Sequence, residues 1–179
     1  KLQEVGVRFL STRTVGYDHI DLAYARKIGI HIGNATYASE SVADYTIMLI
    51  LMALRKMKLI LQSAVSQDYS FDAVLGSNLK GKTLGVIGTG AIGQTLIRHI
   101  AGFGCKILAY NPHPRKEMEQ YVTYVDLNTL YQNSDIITLH VPLNDATYHL
   151  LNEAAFARMK PGVIIVNTAR GPLIDNTAL

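Results

Sequence analysis

The stretch TLGVIGTGAIGQTLIRHIAGFGCKILAYNP, residues 83–112, decides the fold. It opens on the apolar run Leu84-Gly85-Val86-Ile87 and breaks at three glycines in GTGAIG (88–93). It continues at helical spacing through Ile92, Leu96, Ile97 and Ile100. Gly102 and Gly104 stop that helix, and CKILAY (105–110) is a second apolar run. Apolar runs without alternation, joined by an amphipathic helix, predict a βαβ unit in a parallel sheet covered on both faces. Each glycine has a steric task. Gly88 permits a tight turn, Gly90 lets backbone N–H groups approach phosphate oxygens with no Cβ between, and Gly93 lets the helix pack close to the strand. The helix start adds partial positive charge and unsatisfied donors. A lone G-x-G-x-x-G is a weak signal, but between a strand and a helix it reads as a dinucleotide-binding turn.

The usual companion is an acidic residue about 20 positions on, which grips the ribose hydroxyls of NAD. Here Asn111 stands in that place, after Ala109-Tyr110. An amide can bond a ribose hydroxyl but does not repel a 2′-phosphate, and His113, Arg115 and Lys116 follow at once. NAD is the expected cofactor and NADP the alternative.

Around this unit the pattern extends in both directions. A short helix near 127–132, a strand over 135–141, a helix around 153–159 and a strand over 162–168 continue the parallel sheet. Upstream, residues 5–10 read as a strand, 21–28 as a helix ended by Gly29, and 30–32 as a strand. A single long helix is expected over 41–63, with Ser41 and Asp44 resembling a capping box and an apolar middle (IMLILMAL, 47–54) buried between other elements. GSNLKGK (76–82) reads as the linker between two units.

The 179 residues are 49% hydrophobic and 17% charged, which suits a folded chain with a substantial core. A net charge of +3 without any Lys/Arg run argues against nucleic-acid binding. The longest apolar stretch falls well short of the ~20 residues needed to span a bilayer, so no membrane association is expected. Cys105 is the one cysteine and the six histidines are scattered, which fits a reducing cytoplasm and gives no metal-ligand spacing. Both ends are abrupt, with Thr177-Ala178-Leu179 reading as the start of a helix, so the chain is expected to be part of a longer one.

Adding NTARGPLID (167–175) to GTGAIG, the chain resembles the D-isomer-specific 2-hydroxyacid dehydrogenases. STRTVGYDHIDL (11–22), NATYASESVADYT (34–46) and HVPLNDAT (140–147) follow in the family's order, and the second is most similar to the D-lactate dehydrogenase branch. The resemblance implies an α/β architecture. A doubly wound Rossmann nucleotide domain would begin at residue 77, and residues 1–76 would be part of a flavodoxin-like substrate domain with its connecting helix. It also implies hydride transfer between NAD(P)H and a 2-oxo acid to give a D-2-hydroxy acid, in a cytoplasmic homodimer. A hydroxypyruvate/glycerate or phosphoglycerate dehydrogenase is the alternative within the family. A cofactor-sensing, corepressor-like binding protein is the alternative outside catalysis.

By the same resemblance Arg170 is the catalytic arginine, in contact with substrate and cofactor. Val15 and Gly16 offer backbone amides to the substrate carboxylate, and Tyr37 is a substrate-side residue. Gly88, Gly90, Ala91, Ile92 and Gly93 hold the pyrophosphate, and Asn111 faces the ribose. His140, Val141, Pro142 and Thr147 line the cofactor site, and Thr168 and Ala169 the nicotinamide region. No histidine of this chain matches the family's general acid. That histidine and its glutamate partner are expected after Leu179.

Overall fold

The computed structural model describes residues 1–36, 38–70 and 75–179, and the chain divides into two compact units, Lys1–Ala38 and Ser39–Leu179. In the first unit, β1 (Phe9–Thr12) pairs in parallel with β2 (His31–Asn34), from Phe9 opposite His31 to Thr12 opposite Asn34. Helix α1 (Leu22–Lys27) joins them. The Asp21 carboxylate accepts from the Tyr24 amide at 2.8 Å and starts this helix. Arg26 and Lys27 in its last turn complement the dipole, and Gly29 at φ +72° ends it. The first strand begins four residues later than the apolar pattern suggests. Gly6 at φ +83° turns the chain, with its amide on the Gln3 carbonyl and that of Val7 on Leu2, and Val5 is left 77% exposed.

The second unit opens with α2 (Ser39–Leu54) and α3 (Met57–Val65), where one unbroken helix was expected. The break has a tertiary cause. The Leu54 carbonyl accepts from the Ser77 amide at 2.8 Å, so the returning chain takes a group the helix would have used. Gly76 makes that return possible: a Cβ there would lie 2.8 Å from Arg55 Cα and 2.9 Å from the Leu54 oxygen. Lys56 adopts the left-handed conformation at the joint. Nor does Ser41 begin the helix. It starts two residues earlier at Ser39, whose hydroxyl bonds Thr95, while Asp44 pairs with His99 Nδ1 at 2.7 Å. The helix buries one face, through Ala43, Thr46, Ile50 and Leu54, against α4 and β7. Tyr45 and Met48 stay exposed, so α2 is not enclosed on all sides.

The sheet that follows is wholly parallel, in the order β5-β4-β3-β6-β7. Its strands are β3 (Thr83–Ile87), β4 (Lys106–Tyr110), β5 (Thr123–Tyr124), β6 (Ile136–Leu139) and β7 (Ile164–Asn167). Helix α4 (Ala91–Ile100) joins β3 to β4, α5 (Leu127–Asn133) precedes β6, and α6 (Glu153–Phe156) precedes β7. The expected doubly wound arrangement is present. The two-residue β5 was not anticipated, being too short to carry any period.

Two cores cover the two faces of this sheet. Leu84 and Val86 pack with Leu96, Ile97 and Ile100 of α4 and with Ile50 and Leu54 of α2. Ile87, Ile137 and Leu139 pack with Leu130 and Tyr131 of α5 and with Leu151. Burial on both sides explains why β3 carries no polar side chain from Leu84 to Ile87. At Gly85 the fit against α5 leaves no room for a side chain, since a Cβ would lie 2.7 Å from Leu130 Cδ2. Gly85→Ala is therefore expected to destabilise the fold by about 1–3 kcal/mol through overpacking. At Gly102 an added Cβ meets nothing within 4 Å, and Gly102→Ala should be close to neutral. Chemical denaturation of both variants in the full-length protein checks the contrast.

Candidate dinucleotide and catalytic site

From β3 the chain winds through β4 and β5 to one side of the sheet, and β6 and β7 lie on the other. Beyond the C-terminal ends of β3 and β6 this order opens a crevice, the place where doubly wound sheets bind ligands. GTGAIG lies there. Gly88 sits at φ +98°, its amide on the Tyr110 carbonyl at 2.8 Å, and a Cβ would come within 2.5 Å of the His140 oxygen. A Cβ at Gly93 would run into the Gly88 carbonyl. These two glycines are required by backbone packed on backbone. Gly90 differs, because an added Cβ would meet nothing within 4 Å. It is the N-cap of α4 and supplies no side-chain cap, so the first-turn amides of Ala91, Ile92 and Gly93 are left for an acceptor from outside the helix. Open space above an uncapped helix start fits the pyrophosphate of a dinucleotide.

At the end of β4, Asn111 is engaged by its own chain. Its Oδ1 accepts from the Thr89 amide at 3.3 Å, and its Nδ2 donates to the His113 carbonyl. Thr89, almost fully buried between the first two glycines, accepts from the Tyr124 hydroxyl at 3.0 Å, and that hydroxyl accepts from the Arg115 amide at 3.1 Å. Gln94 Nε2 donates to the Thr89 carbonyl at 3.1 Å. Asn111 thus braces the glycine loop, a role for which an amide's paired donor and acceptor are needed. Thr89 and Tyr124 were not singled out from the sequence, since nothing in a Thr between glycines or a Tyr in a two-residue strand marks them. His113, Arg115 and Lys116 are exposed.

On the other side of the crevice, His140 follows β6 and its Nε2 lies 3.0 Å from Thr138 Oγ1. Burial pushes its pKa down to about 4, so the ring is neutral near pH 7. Val141 is half-buried, and Pro142 and Thr147 close one loop: the Thr147 hydroxyl donates to the Pro142 carbonyl at 2.6 Å and accepts from the Asn144 amide at 2.9 Å. After β7, Asn167 Oδ1 accepts from the Ala169 amide at 3.0 Å and its Nδ2 donates to the Arg170 carbonyl at 2.8 Å. This clamp shapes the turn that carries Arg170, half-buried, with Nη1 on the Ala169 carbonyl at 2.9 Å. Thr168 Oγ1 lies 2.9 Å from Thr46 Oγ1 of α2. Asn167 and Thr46 also escaped the sequence reading. The asparagine of NTARG is a visible signal, whereas Thr46 lies 122 residues from its partner.

In the first unit, side chains hold three successive carbonyls of the loop after β1. Thr12 Oγ1 donates to Thr14 O at 2.8 Å, Asn34 Nδ2 to Val15 O at 2.7 Å, and Thr14 Oγ1 to Gly16 O at 2.7 Å. No described residue accepts from the Val15 or Gly16 amide. Tyr37 lies outside the described residues. Among the described residues no His/Cys/Asp/Glu group is arranged to hold a metal, and no helix is long and apolar enough to cross a membrane.

The His140 shift predicts a pH dependence. The folded ring resists protonation until about pH 4, while the unfolded ring takes up its proton near 6.5. The contribution to stability is therefore present above pH 6.5 and is lost as pH falls from there toward 4. Urea unfolding of the full-length protein at pH 7 and 5 should show a smaller loss for His140→Asn than for the unchanged protein. Equal losses would refute this prediction.

Residues 47–179 match the family described as D-isomer specific 2-hydroxyacid dehydrogenase, NAD binding domain. A D-specific alpha-keto acid dehydrogenase of Enterococcus faecium is 46% identical over 178 residues, which cover 99% of this chain and 54% of that protein. The apo-structure of D-lactate dehydrogenase from Escherichia coli superposes with a TM-score of 0.89 at 41% identity, over 99% of this chain and 57% of that one. The D-lactate dehydrogenase of Aquifex aeolicus, complexed with NAD and lactic acid, does so with a TM-score of 0.89 at 38% identity, over 99% and 54%. The chain spans about half the length of the curated relatives it matches. With its glycine turn at the switch point and its NTARG turn after β7, the chain belongs to the D-isomer specific 2-hydroxyacid dehydrogenase family.

Proposed function

We propose that the full-length protein is an NAD-dependent oxidoreductase that reduces a short 2-oxo acid of the pyruvate type to the D-2-hydroxy acid, and the reverse. The observation that carries this reading is Arg170, clamped half-buried on the turn after β7, at the same end of the sheet as an uncapped helix start with open space over Gly90. The names of the relatives support the substrate class, and the Aquifex aeolicus protein was seen with NAD and lactic acid together.

The dinucleotide supplies the hydride. This chain's residues supply its seat and the charge at the reacting centre. Ala91, Ile92 and Gly93 amides hold the pyrophosphate, with Gly88 and Gly90 keeping its path clear, and Asn111 fixes the loop beside the ribose. Val141, Pro142 and the Thr147-closed loop bound the adenosine side, and Thr168 and Ala169 the nicotinamide side. Arg170 binds the substrate carboxylate through its planar fork and stabilises the negative charge that develops on the carbonyl oxygen. The Val15 and Gly16 amides and Tyr37 are the substrate-binding residues of the first unit in this reading. Neutral His140 does not deliver the proton; the family's His and Glu do so from outside these residues. In the whole protein residues 1–76 serve the substrate domain and its connecting helix, and 77–179 the nucleotide domain. Assembly as a cytoplasmic homodimer completes the reading, supported by apolar side chains exposed on α2 and α3, among them Met48, Leu59 and Leu61.

The test is oxidation of NADH and NADPH by the full-length protein with pyruvate, 2-oxoisocaproate and hydroxypyruvate. Absence of turnover with every 2-oxo acid, despite cofactor binding, overturns the dehydrogenase reading. Arg170→Ala should lower kcat/KM by about 10²–10³ while the Kd for NADH changes little. An equal loss of NADH affinity would make Arg170 structural. Asn111→Asp places a negative charge where a 2′-phosphate would approach and should shift preference from NADPH toward NADH by about tenfold or more. An unchanged preference ratio would show that Asn111 does not set it.

A further inference from the structure

Among the described residues, three that are not glycine adopt a left-handed backbone: Lys56, Gln67 and His149. Lys56 stands at the joint between α2 and α3, and Gln67 follows the end of α3, where left-handed residues commonly close helices. His149, at φ +50°, borders no helix. Such a conformation persists where the surroundings hold it. Before His149, the Tyr148 amide donates to the Asn144 carbonyl at 2.8 Å, within the loop that Thr147 closes. At His149 the chain leaves that loop and runs along the segment that follows Arg170. The His149 amide donates to the Pro172 carbonyl at 2.9 Å, the Leu151 amide to the Leu173 carbonyl at 3.0 Å, and the Asp175 amide to the Leu151 carbonyl at 2.9 Å. Leu151 and Leu173 are fully buried, and Leu151 bridges to Ile174 in parallel.

The side chain adds a second hold. Its imidazole stacks on the Tyr148 ring, with centroids 3.9 Å apart and planes 14° from parallel, and its Nδ1 lies 3.7 Å from Asp175 Oδ2. The Thr177 hydroxyl and amide, with a smaller contribution from His149, keep the Asp175 carboxyl below the usual carboxylate range, so it is charged near pH 7. The two side chains are 35% and 24% exposed, so the pair is partly withdrawn from water.

The Arg170 turn is thus fixed from two directions. On the β7 side, Asn167 Nδ2 donates to the Arg170 carbonyl and sets where the turn leaves the strand. That clamp does not reach the far limb, Pro172 to Asp175, which is held by residues 149–151 and by the His149 ring. We propose that His149 is a positioning residue for the reaction: it fixes the far limb of the Arg170 turn and thereby the place of the guanidinium. The inference rests on the dehydrogenase reading and adds to it a residue that acts through Arg170 rather than on the substrate. Displacement of a charge-stabilising group by a fraction of its working distance is costly to rate, so a hold of this kind is read out in catalysis.

The test uses the full-length protein with pyruvate at saturating NADH, and the Kd of NADH is measured separately by calorimetry. His149→Val removes the ring and sets a β-branched side chain on a left-handed backbone. It should lower kcat/KM by about tenfold or more, with the Kd for NADH changed by less than about twofold. His149→Gly keeps the backbone conformation without the ring and should recover most of that loss. The remaining deficit should be about two- to fivefold, the scale of a partly exposed ion pair. Asp175→Asn leaves an oxygen for Thr177 and removes the charge, so it should show the same small deficit and add nothing when joined to His149→Gly. A His149→Val variant as active as the unchanged protein overturns the proposal. So does an equal loss of kcat/KM and NADH affinity, which would make residues 149–151 a support of the adenosine-side loop instead. If His149→Val does not fold, the other two variants decide: full activity in both, or losses that add, overturns the proposal. No turnover by the unchanged protein removes the dehydrogenase reading itself, whereas normal turnover in every variant removes this inference alone.

Discussion

The rest of the second unit is organised around one steric constraint, backbone meeting backbone where β3 ends. Gly88 lies so close to the His140 carbonyl, and Gly93 so close to the Gly88 carbonyl, that neither position can hold a side chain. Because of this approach β6 can pair beside β3, α4 can start directly over the strand end, and its first amides can point into the crevice between the two halves of the sheet. A methyl group at either glycine would move the helix start or part the strands. Gly90, between them, has space above it, and that difference within one motif separates the packing glycines from the one that keeps the helix start accessible.

A second regularity is the way side chains neutralise one polarity of the backbone and leave the other outward. After β1, three carbonyls are capped by Thr12, Thr14 and Asn34, and the Val15 and Gly16 amides remain. At the glycine loop, the Thr89 amide and carbonyl are held by Asn111 and Gln94, while the α4 amides carry no cap. After β7, Thr168 is held by a hydroxyl–hydroxyl bond to Thr46, whose own hydroxyl also stands on the Val42 carbonyl. Asn111 and Asn167 donate and accept at once, which an amide can do and a charged side chain cannot.

Much of this was readable in advance. The parallel sheet, the βαβ unit and the glycine turn follow from local pattern, because unalternating apolar strands and a 3.6-residue helical period need no knowledge of distant residues. Arg170 was singled out by the family resemblance that NTARG carries, not by any period. What stayed hidden depends on distant partners. The break between α2 and α3 arises because Ser77 takes the Leu54 carbonyl, and a helical pattern running on to residue 63 cannot reveal it. The late start of β1 depends on the turn at Gly6, and β5 is held by pairing with β4 at Leu108 and Ala109.

The linear order of residues therefore determined the elements, the family and the types of group available for chemistry, since each is written in short-range periods and motifs. Tertiary structure alone decided the function of individual polar atoms. Asn111 stands where an acid is usual, and its use as a brace is visible only once Thr89 and His113 are beside it. Thr168 is tied to a buried threonine 122 residues away, whose hydroxyl also bonds the Val42 carbonyl. A hydroxyl's polarity is set by its neighbours in space, and no spacing along the chain encodes it.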